Sequence, residues 1–323
     1  MENSLPFAKN SHPALLRSCK IILMKAFSKK ETPVQNLAFC AIIAAFDGIL
    51  SLVSALLPIS AFFLMMIAPL LAALVAYFCK KRYYALYLFG AMGVSIAVSA
   101  WNFENTIFYL LPSLCAGLVY GFLLRRKSNV ALMNFAVAMV QYVFFLLSLL
   151  LVKAIYEVDM REVIRSLFGL KSSDLLYDAF PLFALAYSFA VTGFSHLFFS
   201  LQAPHIGIEY SEEVRFAWLY PTLTVALSGL CIGFAFIYAK MAYFFLGCAF
   251  YWGFAALLTC FPKPHWSAFV TLGVCVFASI LGFSICYGSL AKSQALLFSV
   301  LFAASMGLAS FSDVLLGKKN KSI

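Results

Sequence analysis

The chain has 323 residues, 64% of them hydrophobic and 11% charged, with a net charge of +10 and a mean hydropathy of +0.95. A soluble domain is about half apolar and about a quarter charged, so these figures exclude a soluble globule, a disordered chain, collagen and a disulfide scaffold. The apolar residues come in long unbroken runs rather than short alternating segments, which excludes a transmembrane barrel and leaves an all-α polytopic membrane protein.

Residues 1–36 read as a basic cytoplasmic segment. Leu15, Leu16, Cys19, Ile22, Leu23, Ala26 and Phe27 share one helix face, and Arg17, Lys20, Lys25 and Ser28 occupy the other. A basic amphipathic helix of this kind lies in the membrane surface. Its apolar stretch is broken and no small-residue cleavage site follows, so a signal peptide is not expected.

Ten spans follow, at 37–57, 59–78, 83–101, 106–124, 130–152, 179–201, 218–239, 241–261, 266–287 and 293–316. Each is near the ~20 residues that cover ~30 Å of hydrocarbon. Only Lys240 separates the seventh from the eighth, so an eight-span count with this pair re-entrant stays open. A cytoplasmic loop at 202–217 separates the six spans of 37–201 from the four of 218–316, and a basic tail follows at 317–323. With the N-terminus inside, the inner segments hold 17 Lys and Arg and the outer segments 6, which sets both termini in the cytoplasm. Charges placed this way are topology signals, so the net charge does not point to nucleic acid. The longest outer segment, 153–178, carries an apolar stripe of Met160, Val163, Ile164, Leu167 and Phe168, with Glu157, Asp159, Arg161, Glu162 and Arg165 facing away. It reads as a short helix on the outer surface.

A charge inside a span is costly unless it is paired or faces water, so Asp47 stands out. It lies roughly 15 Å into the first span, at 1.5 Å per residue. Ser51 and Ser54 follow at i+4 and i+7, forming one polar stripe. Such a stripe is either the wall of a substrate or ion site or hydrogen-bonding glue between helices. A different face carries Ala38, Ala41, Ala45 and Gly48, which suits close approach by another helix of this chain or of a partner. The outer segment Trp101-Asn102-Phe103-Glu104-Asn105 interleaves aromatics with amides and one carboxylate. Trp101, Asn102, Glu104 and Asn105 there suit the rim of a small-molecule pocket, or an ordinary interfacial turn. Gln141, midway along the fifth span, is a further candidate for a ligand. His196 and Asp313 lie near inner ends of spans and are expected to snorkel.

No Walker A, GxSxG, HxxxH or HExxH sequence occurs. No catalytic activity, metal or cofactor is therefore expected, and any ATP-driven role needs a partner. Seven of the nine cysteines lie inside apolar runs and read as small buried hydrophobes.

Ala41-Ile-Ile-Ala-Ala45 is an AxxxA motif in a first helix that starts in the cytoplasm; Pro58 and Pro69 mark the second helix, and short basic inner loops follow. This resembles the membrane-embedded substrate-binding S components of energy-coupling factor vitamin transporters. The resemblance covers the six spans of 37–201, about half the chain. It implies a six-helix fold with the substrate site towards the outside. It also implies that the AxxxA face contacts a transmembrane coupling protein with its ATPase pair. With four further spans, the whole chain is similar to the YybS-like bacterial membrane proteins. The implied function is uptake of a small organic nutrient, vitamin-like, by a multi-pass protein of the bacterial plasma membrane. The alternative is a non-transport scaffold of envelope assembly or cell division.

The charge count yields a direct test of topology. A cysteine replacing Ser172 is expected to react with an impermeant maleimide added to intact cells, and one replacing Ser128 to react only after lysis. The reverse pattern inverts the orientation.

Overall fold

The computed structural model describes residues 28–57, 60–157, 159, 162, 174–206, 208, 218–260, 270, 273–274, 277 and 299–319. These form nine α-helices: α1 Pro33–Leu56, α2 Ser60–Phe78, α3 Tyr84–Val98, α4 Phe103–Arg125, α5 Val130–Tyr156, α6 Asp174–Gln202, α7 Leu219–Ala235, α8 Ala239–Cys260 and α9 Val300–Lys319. No strand occurs among the described residues. Helices α1, α4, α5, α6 and α8 are long and apolar enough to cross a membrane, and α2, α7 and α9 carry shorter apolar stretches. The protein is an all-helical membrane-embedded protein.

Local chemistry sets the helix ends. Thr32 caps α1: its hydroxyl accepts from the Gln35 amide at 3.2 Å, and the Gln35 side chain accepts from the Thr32 amide at 3.3 Å. With Pro33 in the first turn, α1 starts four residues before the expected span. The expected third span, 83–101, is a helix of only 15 residues, about 22 Å long. Helix α5 ends at Glu157, which adopts a left-handed φ of 58°, and α6 starts at Asp174. Both helices thus extend into the expected outer segment, whose apolar stripe from Met160 to Phe168 lies outside the described residues. The amphipathic stretch 15–27 and most of the expected ninth span also lie outside them. The seventh and eighth spans are two separate helices, α7 and α8, packed side by side. A turn at Phe236–Tyr238 joins them, with the Tyr238 amide donating to the Phe234 carbonyl at 2.8 Å.

Helices α2 and α4 form the centre. Gly117 and Gly121 on α4 lie one turn apart, and a Cβ at either would overlap backbone of α2, at Pro69 and Ala73 respectively. Ala68, Ala72, Ala73 and Ala76 on the facing side of α2 are fully buried. Small residues on both sides let the two backbones touch, which is how helices gain packing energy where lipid supplies no hydrophobic drive. Helices α1 and α3 pack on one side of this pair, and α5 and α6 on the other.

One end of the bundle is basic. The Lys30 amide donates to the Phe78 carbonyl at 3.0 Å, the Lys80 ammonium to the Glu31 carbonyl at 2.7 Å, and the Arg125 guanidinium to the Cys79 carbonyl at 3.0 Å. Partial burial, on the face of the Phe39 ring, lowers the pKa of Lys30 from the ordinary lysine value.

Helices α7, α8 and α9 pack on one another and join the rest mainly through α8 on α6. Phe189 of α6 stacks on Tyr251 of α8 at 4.4 Å between ring centroids, and Phe135 of α5 meets Trp252 at 4.9 Å. Asn129, which caps α5, also accepts from the Tyr220 phenol of α7 at 2.8 Å. Among the described cysteines, Cys40, Cys79, Cys231 and Cys248 are buried and free, and Cys115 is half-buried and free.

The central contact makes a sharp expectation. Gly117→Ala and Gly121→Ala force the two backbones apart and each destabilises the protein by about 1–3 kcal/mol. Gly193→Ala, with open space around the new methyl group, leaves the melting temperature in detergent unchanged or slightly raised.

Candidate functional site

Helix α1 has two different faces. Asp47, Ser51 and Ser54 turn inward and have no exposed surface, while Phe46, Ile49 and Val53 turn outward. Helix α3 lays Tyr87, Ala91 and Ser95 against the inward face, one every fourth residue. Helix α4 brings Tyr109 and Thr106 to the same place.

The result is a buried polar seam between α1, α3 and α4. The Tyr87 phenol donates to Asp47 Oδ2 at 2.6 Å. The Ser51 hydroxyl donates to the Asp47 backbone carbonyl at 2.9 Å. Its oxygen lies 2.7 Å from the Tyr109 phenol, and with the serine proton committed to the carbonyl, Tyr109 is the donor. Further along, Thr106 donates to Ser99 Oγ and Ser99 to the Ser95 carbonyl, both at 2.7 Å. The Asn102 amide closes the seam by donating to the Ala55 carbonyl in the last turn of α1, at 3.2 Å. Three fully buried atoms in the seam have no protein partner: Asp47 Oδ1, Ser54 Oγ and Ser95 Oγ. The seam holds one carboxylate, two phenols and a line of hydroxyls. Chemically it offers acceptors and neutral donors, and so suits a small polar or cationic group.

The structure brings some of the candidate residues together and separates others. Asp47, Ser51, Ser54 and Asn102 belong to the seam. Trp101 projects away from it with 62% of its surface exposed. Glu104 is half-buried in the first turn of α4, and the side chain of Asn105 lies outside the description. Gln141 is elsewhere: it lines a small cavity with residues of α2, α4 and α6, on the opposite side of the α2–α4 pair from Asp47. The small-residue face also divides. Ala38, Ala41 and Ala45 are exposed, whereas Gly48 is buried under Val94 of α3. Helix α3 covers that face only along its later turns. The earlier turns border an open groove of about 960 Å³ lined by Lys29, Gln35, Ala38, Ile42 and Phe46.

His196 does not snorkel alone; it is half-buried and its Nδ1 lies 2.8 Å from the Tyr120 phenol. The side chain of Asp313 is outside the description. Among the described residues no cluster of His, Cys, Asp or Glu is placed to hold a metal ion. The sequence reading passed over Tyr87, Ser95, Ser99, Thr106 and Tyr109. Their signal was present: Tyr87, Ser95 and Ser99 repeat at multiples of four, the spacing of one helix face.

The Tyr87–Asp47 bond can be tested alone. Tyr87→Phe removes the donor and leaves both carboxylate oxygens without a protein partner, which is expected to cost about 1–3 kcal/mol of stability. Tyr109→Phe keeps the Ser51–Asp47 bond and costs less, about 0.5–1.5 kcal/mol. Thermal melting of the two variants in the same detergent ranks them, and the opposite order overturns the assignment of donors.

Comparison with protein-family models, with curated proteins and with solved structures finds no match to this chain. The functional reading therefore rests on the residues and their geometry.

Proposed function

We propose that the chain is a membrane-embedded substrate-binding or permease subunit, multi-pass in a bacterial plasma membrane, for uptake of a small organic nutrient. The polar seam forms one wall of the substrate site. A transmembrane coupling protein with an ATPase pair docks on the open turns of α1 and drives the change that exposes the seam. The observation that carries this reading is the division of labour on α1. One helix presents a buried carboxylate with an unpartnered oxygen on one side, and exposed Ala38, Ala41 and Ala45 on the other. A partner that moves α1 would act directly on Asp47. The seam reaches the end of the bundle opposite the basic loops, through Ser99 and Asn102, which is the outer end by the charge count.

A second reading has its own support. Asp47, Ser51, Ser54 and Ser95 have no exposed surface, so the seam in this conformation is closed and can serve as interhelical glue in a scaffold.

Two measurements separate the readings. Small molecules retained by the purified protein are identified by mass spectrometry and their affinity is measured for the wild type and for Asp47→Asn. If the seam binds substrate, affinity falls by about 1.5–3 kcal/mol, or roughly 10- to 150-fold, while the melting temperature changes little. If the seam is glue, the melting temperature falls and no ligand is retained. For the outer face, Ala41→Trp and Ala45→Trp are expected to abolish co-purification of an ATPase pair while insertion and melting stay normal. Co-purification that survives both substitutions removes the docking face from the proposal.

A further inference from the structure

A second polar centre lies across the α2–α4 pair from the seam. Gln141 of α5 has no exposed surface, and neither atom of its amide has a protein partner. Thr192 of α6 is 3% exposed and its hydroxyl oxygen is likewise unpartnered. Both line one cavity of about 10 Å³, walled also by Pro69 of α2, Tyr120 of α4 and Ser195 of α6. Three unsatisfied polar atoms at one void inside a membrane bundle are costly, because no lipid and no bulk water reaches them. The backbone adds to the polarity. Pro69 has no amide hydrogen, so the Met65 carbonyl loses its partner in the α2 ladder. The Ser195 hydroxyl reaches across from α6 and donates to the next carbonyl, Met66, at 2.7 Å. The proline break in α2, the Gln141 amide and the Thr192 hydroxyl therefore meet at one place.

We propose that Gln141 and Thr192 bind a single structural water at the Pro69 break, which joins α5 and α6 to the central pair. The size of the cavity selects the ligand. One water needs roughly 10–15 Å³, whereas an organic ligand fills about 300–1,000 Å³. The chemistry selects it again. A bare cation takes several oxygens and favours a carboxylate, but this wall has none, and one end of the Gln141 amide presents N–H groups. Water both donates and accepts, so it meets an amide and a hydroxyl equally well. The site is independent of the proposed transport role.

The test uses the full-length protein and isosteric variants. Gln141→Met and Thr192→Val each remove one partner of the water and are expected to lower the melting temperature by about 2–4 °C. The double variant loses less than the sum, because the water leaves and an apolar contact replaces it. If the two groups are dry, each single variant raises the melting temperature and the effects add; that sign overturns the proposal. Radiolytic hydroxyl-radical labelling of the wild type gives a direct reading. A bound water generates the radical in place and oxidises Tyr120, which is only 2% exposed. Oxidation of exposed Trp101 without Tyr120 overturns the proposal. So does a melting temperature that rises in sodium chloride over choline chloride, which would make the occupant a cation.

Discussion

The close approach of α2 and α4 governs the rest of the molecule. Gly117 and Gly121 meet backbone of α2 with no side chain between them. In lipid the neighbouring hydrocarbon is as apolar as any leucine, so shape fit and hydrogen bonds must hold the helices together. A pair in backbone contact gives the other helices a narrow, rigid ridge to pack on. That ridge presents Tyr109 to α1 on one side and Tyr120 to α6 on the other. The two polar centres are therefore built on the same support yet kept apart.

Polar groups in such a bundle have two fates, and both occur here. Many of the described serines and threonines return their proton to a carbonyl one turn back, as Ser51, Ser113, Ser188 and Ser228 do. These hydroxyls satisfy themselves and say little about function. The unpartnered atoms at the two polar centres carry more meaning: Asp47 Oδ1, Ser54, Ser95, Gln141 and Thr192 are buried where an unsatisfied group is expensive. They gather on the two sides of the central ridge and mark where water, an ion or a substrate group has a reason to enter.

Helix α1 shows how neighbours decide the role of a residue. Ala41 and Gly48 are seven residues apart and share a face by helical geometry. Gly48 is covered by Val94 and Ala41 is not, because α3 reaches only one part of that face. The same stripe is internal packing at one level and open surface at another. No reading of spacing alone could divide it, since the division depends on where a different helix begins.

Several features were legible in the residues alone. Composition and run length determined an all-helical membrane protein, because only helices satisfy their own backbone over long apolar runs. The inward stripe of Asp47, Ser51 and Ser54 followed from 3.6-residue periodicity, and the burial of Cys40, Cys231 and Cys248 from their apolar neighbours, whereas Cys115 is only half-buried. Other features belonged to the tertiary structure. Asp47 pairs with Tyr87, 40 residues away in sequence, and Ser51 with Tyr109, 58 residues away, so helix packing chose both partners. The separation of Gln141 from Asp47 was equally hidden, because mid-span depth is the same on every side of a bundle. Periodicity tells which residues share a face; only packing tells what that face meets.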